Sequence, residues 1–228
     1  MMEDTKDCKR IELKMPLLVS SVKESYKTLR TNLLYTKATK TIAITSTLPN
    51  EGKSITAYHL AVSFAKAGKK TLLVDGDLRK SRLCSYLQVE KDLPGLSEYL
   101  SEQKGELMYG TSIPGLYLIL SGKRPPDPSE LLSKDRFAML LAEVKERFDY
   151  VIIDTPPVSG AADASIIGRY ADGIVYVVRS DFVKRKLVEK GKKLLIRNGG
   201  HIVGVVLNRM DQHQKGYYGY EEEKKVIG

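Results

Sequence analysis

The sequence predicts a single α/β domain of the P-loop NTPase-like type, with a mainly parallel β-sheet flanked by helices. Three observations carry this. Short, continuous apolar runs alternate with helix-like segments, which is the pattern of parallel strands buried on both faces. Several of those runs end in polar residues of functional type. One of them passes through a turn containing Gly52 into a helix, the context of a phosphate-binding loop. With 228 residues, 42% hydrophobic and 29% charged, the chain is long enough to bury one substantial core without a second domain.

In chain order, residues 1–40 form an N-terminal segment containing an interaction helix, SSVKESYKTLRTNLLY (Ser20 to Tyr35), whose Leu29, Leu33 and Leu34 make an apolar stripe. Residues 41–210 carry the P-loop unit. Its strands are TIAITS (Thr41 to Ser46), TLLVDGD (Thr71 to Asp77), YVIIDTPP (Tyr150 to Pro157), GIVYVVR (Gly173 to Arg179) and IVGVVLNRM (Ile202 to Met210). Helices are predicted over Lys53 to Ala67, stopped by Gly68, over Asp135 to Arg147 and over Lys184 to Arg197. Residues 211–228, DQHQKGYYGYEEEKKVIG, lack apolar periodicity and read as a flexible tail containing tyrosines.

Composition excludes several classes. No run approaches the roughly 20 apolar residues of a membrane-spanning helix. The N-terminus MMEDTKDCKR lacks the apolar centre of a signal peptide, so a cytoplasmic location is expected. Cys8 and Cys84 form neither a C-x-x-C pair nor a disulfide framework. The net charge of +9 favours acidic partners, but no nucleic-acid fold motif accompanies it, and the cluster Lys184 to Lys186 reads as a solvated helix face. His59, His201 and His213 have no metal-ligand spacing and are taken as structural or solvated.

The chemistry sits at the strand ends. In TSTLPNEGKSITA (Thr45 to Ala57), Gly52-Lys53-Ser54 close a phosphate loop in which Thr47 stands where the usual pattern has its first glycine. Gly52 lets the backbone approach, Lys53 would reach the β and γ phosphates, Ser54 would ligate Mg²⁺, and Pro49 restricts the turn. Asp154, before Pro156-Pro157, matches the acidic strand end that holds Mg²⁺. LLVDGDLR places Asp75 and Asp77 two residues apart, where extended backbone sends both carboxylates to one side. Two such carboxylates repel unless Mg²⁺, Lys53 or Arg79 supplies positive charge, and one of them is then free to accept a proton.

Taken in order, STLPNEGKS (Ser46 to Ser54), LLVDGDLR (Leu72 to Arg79) and VIIDTPP (Val151 to Pro157) resemble the Walker A, A′ and B motifs of the bacterial tyrosine kinases. Loops of that family often lack the first glycine. GKRPPDPSELL (Gly122 to Leu132) resembles the family's proline-rich segment, and YYGY its tyrosine cluster. The resemblance implies ATP with Mg²⁺ as cofactors and transfer of the γ-phosphate to tyrosine. It makes Lys53, Asp75, Asp77 and Arg79 catalytic candidates, with Asp75 the base and Asp77 on the metal side, or with the two acids sharing both roles as a coupled pair. Nucleotide contacts fall on Thr47, Pro49, Asn50, Glu51, Gly52, Lys53, Ser54, Ile55, Asn208 and Arg209, with Asn208 either at adenine or simply ending a strand. Metal contacts fall on Ser54, Asp77 and Asp154. Tyr217, Tyr218 and Tyr220 become phosphorylation sites acting in trans.

The family's subunit-contact motif E-x-x-R-x-x-R appears as Glu24, Lys27 and Arg30, with lysine keeping the charge of the first arginine but not its bidentate fork. The resemblance therefore implies self-association, with a ring weakened by that lysine. It also implies a membrane-embedded activator that recruits the chain to the inner face of the membrane, a phosphotyrosine phosphatase and protein substrates as partners, and control of capsular or extracellular polysaccharide export. Two alternatives stand beside it: a nucleotide-switched positioning or partition ATPase, which usually carries a further lysine near Thr47, and a nucleotide-binding regulatory subunit with little turnover.

Overall fold

The computed structural model describes residues 8–14, 18–36, 39–90 and 93–210. They form β1 (Arg10–Ile11), α1 (Ser20–Leu34), β2 (Thr41–Ser46), α2 (Lys53–Lys66), β3 (Thr71–Asp75), α3 (Leu83–Leu87), α4 (Leu96–Leu100), β4 (Tyr109–Thr111), β5 (Leu116–Ile119), α5 (Pro128–Ser133), α6 (Asp135–Arg147), β6 (Tyr150–Asp154), α7 (Asp163–Tyr170), β7 (Gly173–Arg179), α8 (Arg185–Arg197) and β8 (Ile202–Asn208). The strands make one sheet in the order β1-β4-β5-β3-β6-β2-β7-β8. Every pairing is parallel except that of β4 with β5.

The central strands are apolar throughout because both of their faces are covered. Along β3, Leu72 and Val74 enter the core beneath α5, α6 and α7, with Leu132, Phe137, Leu140 and Ile167. Leu73 enters the opposite core with Ile42, Ile44 and Ile152, against Leu60 and Phe64 of α2. A period of two with both phases apolar is what a two-sided sheet requires.

Three strands go beyond those expected from the sequence. β1 has two residues, and β4 and β5 form a short antiparallel pair across the turn containing Gly115, whose φ is +78°. Strands this short carry too little periodicity to detect. Through β1 and α1, the N-terminal segment joins the same body as the central strands.

The α1 stripe is narrower than expected. Leu33 is buried and Leu29 partly so, but Leu34 is 45% exposed, because one residue turns the helix by about 100° away from α2. Arg30 completes the α1 contact by donating to the Ser63 carbonyl at 2.7 Å and to its hydroxyl at 3.2 Å. His59 packs against Tyr26 with ring centroids 5.2 Å apart. Burial, reinforced by the nearby Lys66, pushes its imidazole down to about 4, so it is a neutral packing residue at physiological pH.

The parallel register brings functional residues to one edge. Asp75 lies opposite Asp154 across β3 and β6, and Arg179 lies opposite Asn208 across β7 and β8. Ligands bind beyond these carboxyl ends in open α/β sheets.

Candidate active site

The loop from β2 to α2 explains how Thr47 replaces glycine. Among the described residues, the left-handed positions of this loop are Asn50, φ +67°, and Gly52, φ +96°; Thr47 is not one of them. Position 47 therefore needs no glycine. Its hydroxyl meets that of buried Tyr176 at 3.0 Å, while its carbonyl accepts from the Ser159 N–H at 3.1 Å. The loop is thereby tied both to β7 and to the segment after β6.

Two further residues set the loop's shape. Asn208 donates its amide N–H to the Glu51 carbonyl at 2.8 Å, closing β8 onto the loop. The fully buried Glu51 carboxylate accepts from Leu48 N at 2.6 Å and from Arg179 N at 3.0 Å. Its side chain therefore serves as an internal staple that shapes the loop. A glutamate in a loop reads as solvated until β7 is known to lie beside it.

Gly52 is constrained twice. Its φ is unfavourable for any other residue, and a Cβ there would stand 2.1 Å from the Asn208 side-chain nitrogen. Gly52→Ala is expected to destabilise the fold by about 1–3 kcal/mol and to weaken nucleotide binding at least about tenfold. Chemical denaturation and fluorescent-nucleotide titration of the variant would measure both.

Beyond Gly52, α2 begins without a side-chain cap or an acidic residue in its first turn. Its free N–H groups and dipole thus favour an anion, which Lys53 reinforces with a full charge.

Facing Lys53 are three aspartates withdrawn from water: Asp75 and Asp154 are fully buried and Asp77 is 4% exposed. The Lys53 ammonium lies 3.1 Å from Asp77 Oδ2, 3.2 Å from the Ser54 hydroxyl and 3.8 Å from Asp154 Oδ1. Burial opposes this ammonium, but Asp154, Asp77 and Asp75 outweigh it and hold the Lys53 pKa above its ordinary value. Asp75 accepts from the Ser81 hydroxyl and, at 3.3 Å, from Asp77 N. Burial first, and the neighbouring Asp154 second, push its carboxyl up to about 7. Asp154 is pushed up to about 6, chiefly by burial, with Lys53 pulling the other way.

Arg79 does not neutralise this cluster through direct hydrogen bonds. Its Nε donates to Asp163 at 2.7 Å, while Nη2 donates to Asp163 at 3.1 Å and to Ser129 at 2.8 Å. Of the alternatives for offsetting the acid pair, Mg²⁺, Lys53 or Arg79, the side chain in contact is Lys53. Arg79 instead fastens the turn after β3 to α5 and α7. Ser81, Ser129 and Asp163 were missed because no motif marks them, although an aspartate opening the helix DASIIGRY is a visible N-terminal signal.

Asp154 tests the fit of a metal ion. Among the described residues, neither of its buried oxygens has a hydrogen-bond partner, a costly arrangement that a cation would relieve. Asp154, Asp77 and the Ser54 hydroxyl supply the hard oxygen donors that Mg²⁺ prefers. Among the described residues no three His, Cys, Asp or Glu side chains form a metal cage. Mg²⁺ needs none, since it retains water and takes phosphate oxygens. The residues present fit it.

Comparison with known proteins agrees with this geometry. A family model described as an AAA domain matches residues 39–185. The tyrosine-protein kinase CpsD of Streptococcus agalactiae is 38% identical over 210 residues, covering 89% of this chain and 92% of the relative. The tyrosine-protein kinase YwqD of Bacillus subtilis is 37% identical, covering 87% of each.

The chain belongs to the bacterial tyrosine kinases.

Solved structures of that family superpose closely. The chimerical protein CapA2B2 gives a TM-score of 0.79 at 38% identity, over 83% of this chain and 85% of its own. The kinase domain of the Escherichia coli tyrosine kinase ETK gives 0.80 at 32%, over 88% and 80%. The septum site-determining protein MinD of Pyrococcus horikoshii, at 22% identity and a TM-score of 0.63, shares the nucleotide-binding fold.

Among the other expected positions, Pro49 lies within the loop and Ile55 in the first turn of α2, and Arg209 donates its N–H to the Asn208 side chain. Glu24 and Lys27 pair with each other on the exposed face of α1 at 2.6 Å, whereas Arg30 is engaged by Ser63 of its own α2. Tyr217, Tyr218 and Tyr220 lie outside the described residues.

Proposed function

We propose that the chain transfers the γ-phosphate of ATP to tyrosine hydroxyls, first to Tyr217, Tyr218 and Tyr220 in the tail of a neighbouring copy. The observation that carries this reading is the buried set of Lys53, Asp77, Asp154 and Asp75 gathered at one sheet edge beside the N-terminus of α2.

The loop backbone and Lys53 would bind the phosphates, and Ser54, Asp77 and Asp154 would hold Mg²⁺. Mg²⁺, when bound, neutralises charge on the phosphate oxygens. Asp75 is positioned to take the phenolic proton: a phenol of pKa about 10 needs a base at neutral pH, and a carboxyl raised to about 7 is better matched to that task than an ordinary one. Ser81 orients the Asp75 carboxylate. Arg79, through Asp163 and Ser129, keeps the turn carrying Asp77 in place.

The same reading makes the chain the cytoplasmic half of a two-protein kinase. A membrane-embedded activator recruits it, a phosphatase resets it, and its output regulates capsular or extracellular polysaccharide synthesis and export. Ring or smaller self-association through Glu24, Lys27 and Arg30 would present one tail to the next active site. Arg30 must then exchange or share its Ser63 contact.

Phosphopeptide mapping after Mg-ATP treatment, with the activator's cytoplasmic end supplied, tests the reaction. Phosphate is expected on Tyr217, Tyr218 or Tyr220, and Tyr217→Phe/Tyr218→Phe/Tyr220→Phe is expected to remove most of the incorporated label. ADP release with no phosphotyrosine would favour a switch ATPase instead.

A further inference from the structure

We propose that the outward face of α8 docks directly on an anionic phospholipid surface. This goes beyond recruitment by a protein partner and stands whichever reaction the nucleotide site performs.

α8 turns Val188, Gly191 and Leu195 toward the sheet; Gly191 leaves room for the Tyr176 hydroxyl, which a Cβ would meet at 2.2 Å. Lys186, Lys190, Lys193 and Arg197 lie on the opposite side, within an arc of about 60° and along about 16 Å of helix. All four are exposed, and none has an ion pair or side-chain hydrogen bond among the described residues. Glu189 is the helix's single acid, and it forms no ion pair with the cations around it among the described residues. An unpaired row of like charges is unfavourable for the isolated fold and complementary to a plane of phosphates.

Apolar residues decide between polyanions. Leu187 and Leu194, 42% and 41% exposed, flank the cationic row on one side, and Phe182, 43% exposed, precedes the helix. A headgroup layer receives such side chains at its acyl boundary while lysine stems let their ammonium groups reach phosphate. A nucleic-acid backbone offers leucines nothing. An acidic peptide would want a groove, yet the open depression here is lined by Arg185, Lys186, Glu189, Lys190 and Lys193 of this one convex helix.

Flotation of the full chain with vesicles tests this. Binding is expected to phosphatidylcholine vesicles containing phosphatidylglycerol, not to phosphatidylcholine alone, and to weaken as salt rises. Lys186→Ser/Lys190→Ser/Lys193→Ser should reduce the apparent affinity about 100-fold, at about fivefold per charge. The corresponding triple arginine variant should retain it. Leu187→Ser/Leu194→Ser should lose about tenfold with all charges present. Thermal melts of each variant would separate lost binding from lost folding. Absence of flotation by the wild type, or unchanged binding by a folded serine triple, would overturn the proposal. So would tighter binding to duplex DNA than to vesicles, with the leucine variant unimpaired.

Discussion

Lys53→Met is expected to lower tail tyrosine phosphorylation by about a thousandfold, the upper range for removing one charged group that contacts a transferring phosphoryl. Methionine preserves the stem's volume in a site where lysine is only 7% exposed, so packing is nearly conserved and the charge is what disappears. A second effect follows from the same contacts. Asp77 loses an ion-pair partner at 3.1 Å, and Asp154 its nearest cation at 3.8 Å. Breaking a buried pair costs about 3–5 kcal/mol when the remaining charge has no relief. Protonation supplies relief here, because the Asp154 and Asp75 carboxyls already sit at about 6 and about 7. The stability deficit of the variant should therefore be smaller near pH 5, where the lost Asp77 pair remains, and grow as pH rises through 7. Denaturant titrations of both proteins in chelator across that range would measure it. A thousandfold loss of label with a flat deficit would keep the phosphate role and refute the electrostatic one.

The central fold was legible because its physics is local. Two-sided burial writes itself into TIAITS, TLLVD and YVIID as uninterrupted apolar residues, and α2, α6 and α8 begin and end within two residues of their expected bounds. The candidate site's grouping was legible for a related reason: Asp75 and Asp154 end strands, Asp77 lies just past one, Lys53 opens the helix that follows another, and parallel pairing brings those ends together. What remained hidden depends on contacts distant in sequence. Glu51 reaches Arg179 across 128 residues, Asn208 reaches Glu51 across 157, and Arg79 reaches Asp163 across 84. No spacing rule encodes those pairs. Thr47 shows the same limit: its substitution for glycine becomes intelligible only when the Tyr176 contact is seen and the left-handed backbone is found at 50 and 52 instead.

Asp75→Asn is expected to lower phosphotransfer by about 10²–10⁴ while making the nucleotide-free protein more stable in neutral and alkaline solution. The two effects share one cause. Asp75 is fully buried beside Asp154 and Asp77, so ionising it in the folded state is unfavourable, and its carboxyl rises from an ordinary 3.8 to about 7. A carboxyl raised on folding contributes stability that is fully present below its unfolded value and is lost as pH climbs through its folded value. By linkage, the wild type loses up to about 4 kcal/mol between roughly pH 4 and pH 8 through this group, an upper bound that relaxation around the site reduces. Asparagine keeps one oxygen, for Asp77 N, and can donate its amide N–H to the Ser81 hydroxyl oxygen in place of the second acceptor; it cannot ionise, so that loss should vanish from the variant. The wild-type and variant melting temperatures should lie close near pH 4–5 and separate as pH rises, with the variant higher. Adding Mg-ATP should narrow the gap by stabilising the wild type's charged cluster. On the role proposed for Asp75, the variant would also lack the base for the phenolic proton, a contribution of about 10²–10⁴ in rate. If Asp75→Asn melted below the wild type at pH 8, the buried acid would be structural support rather than strain held for chemistry. If it stayed active, proton acceptance would belong to Asp77.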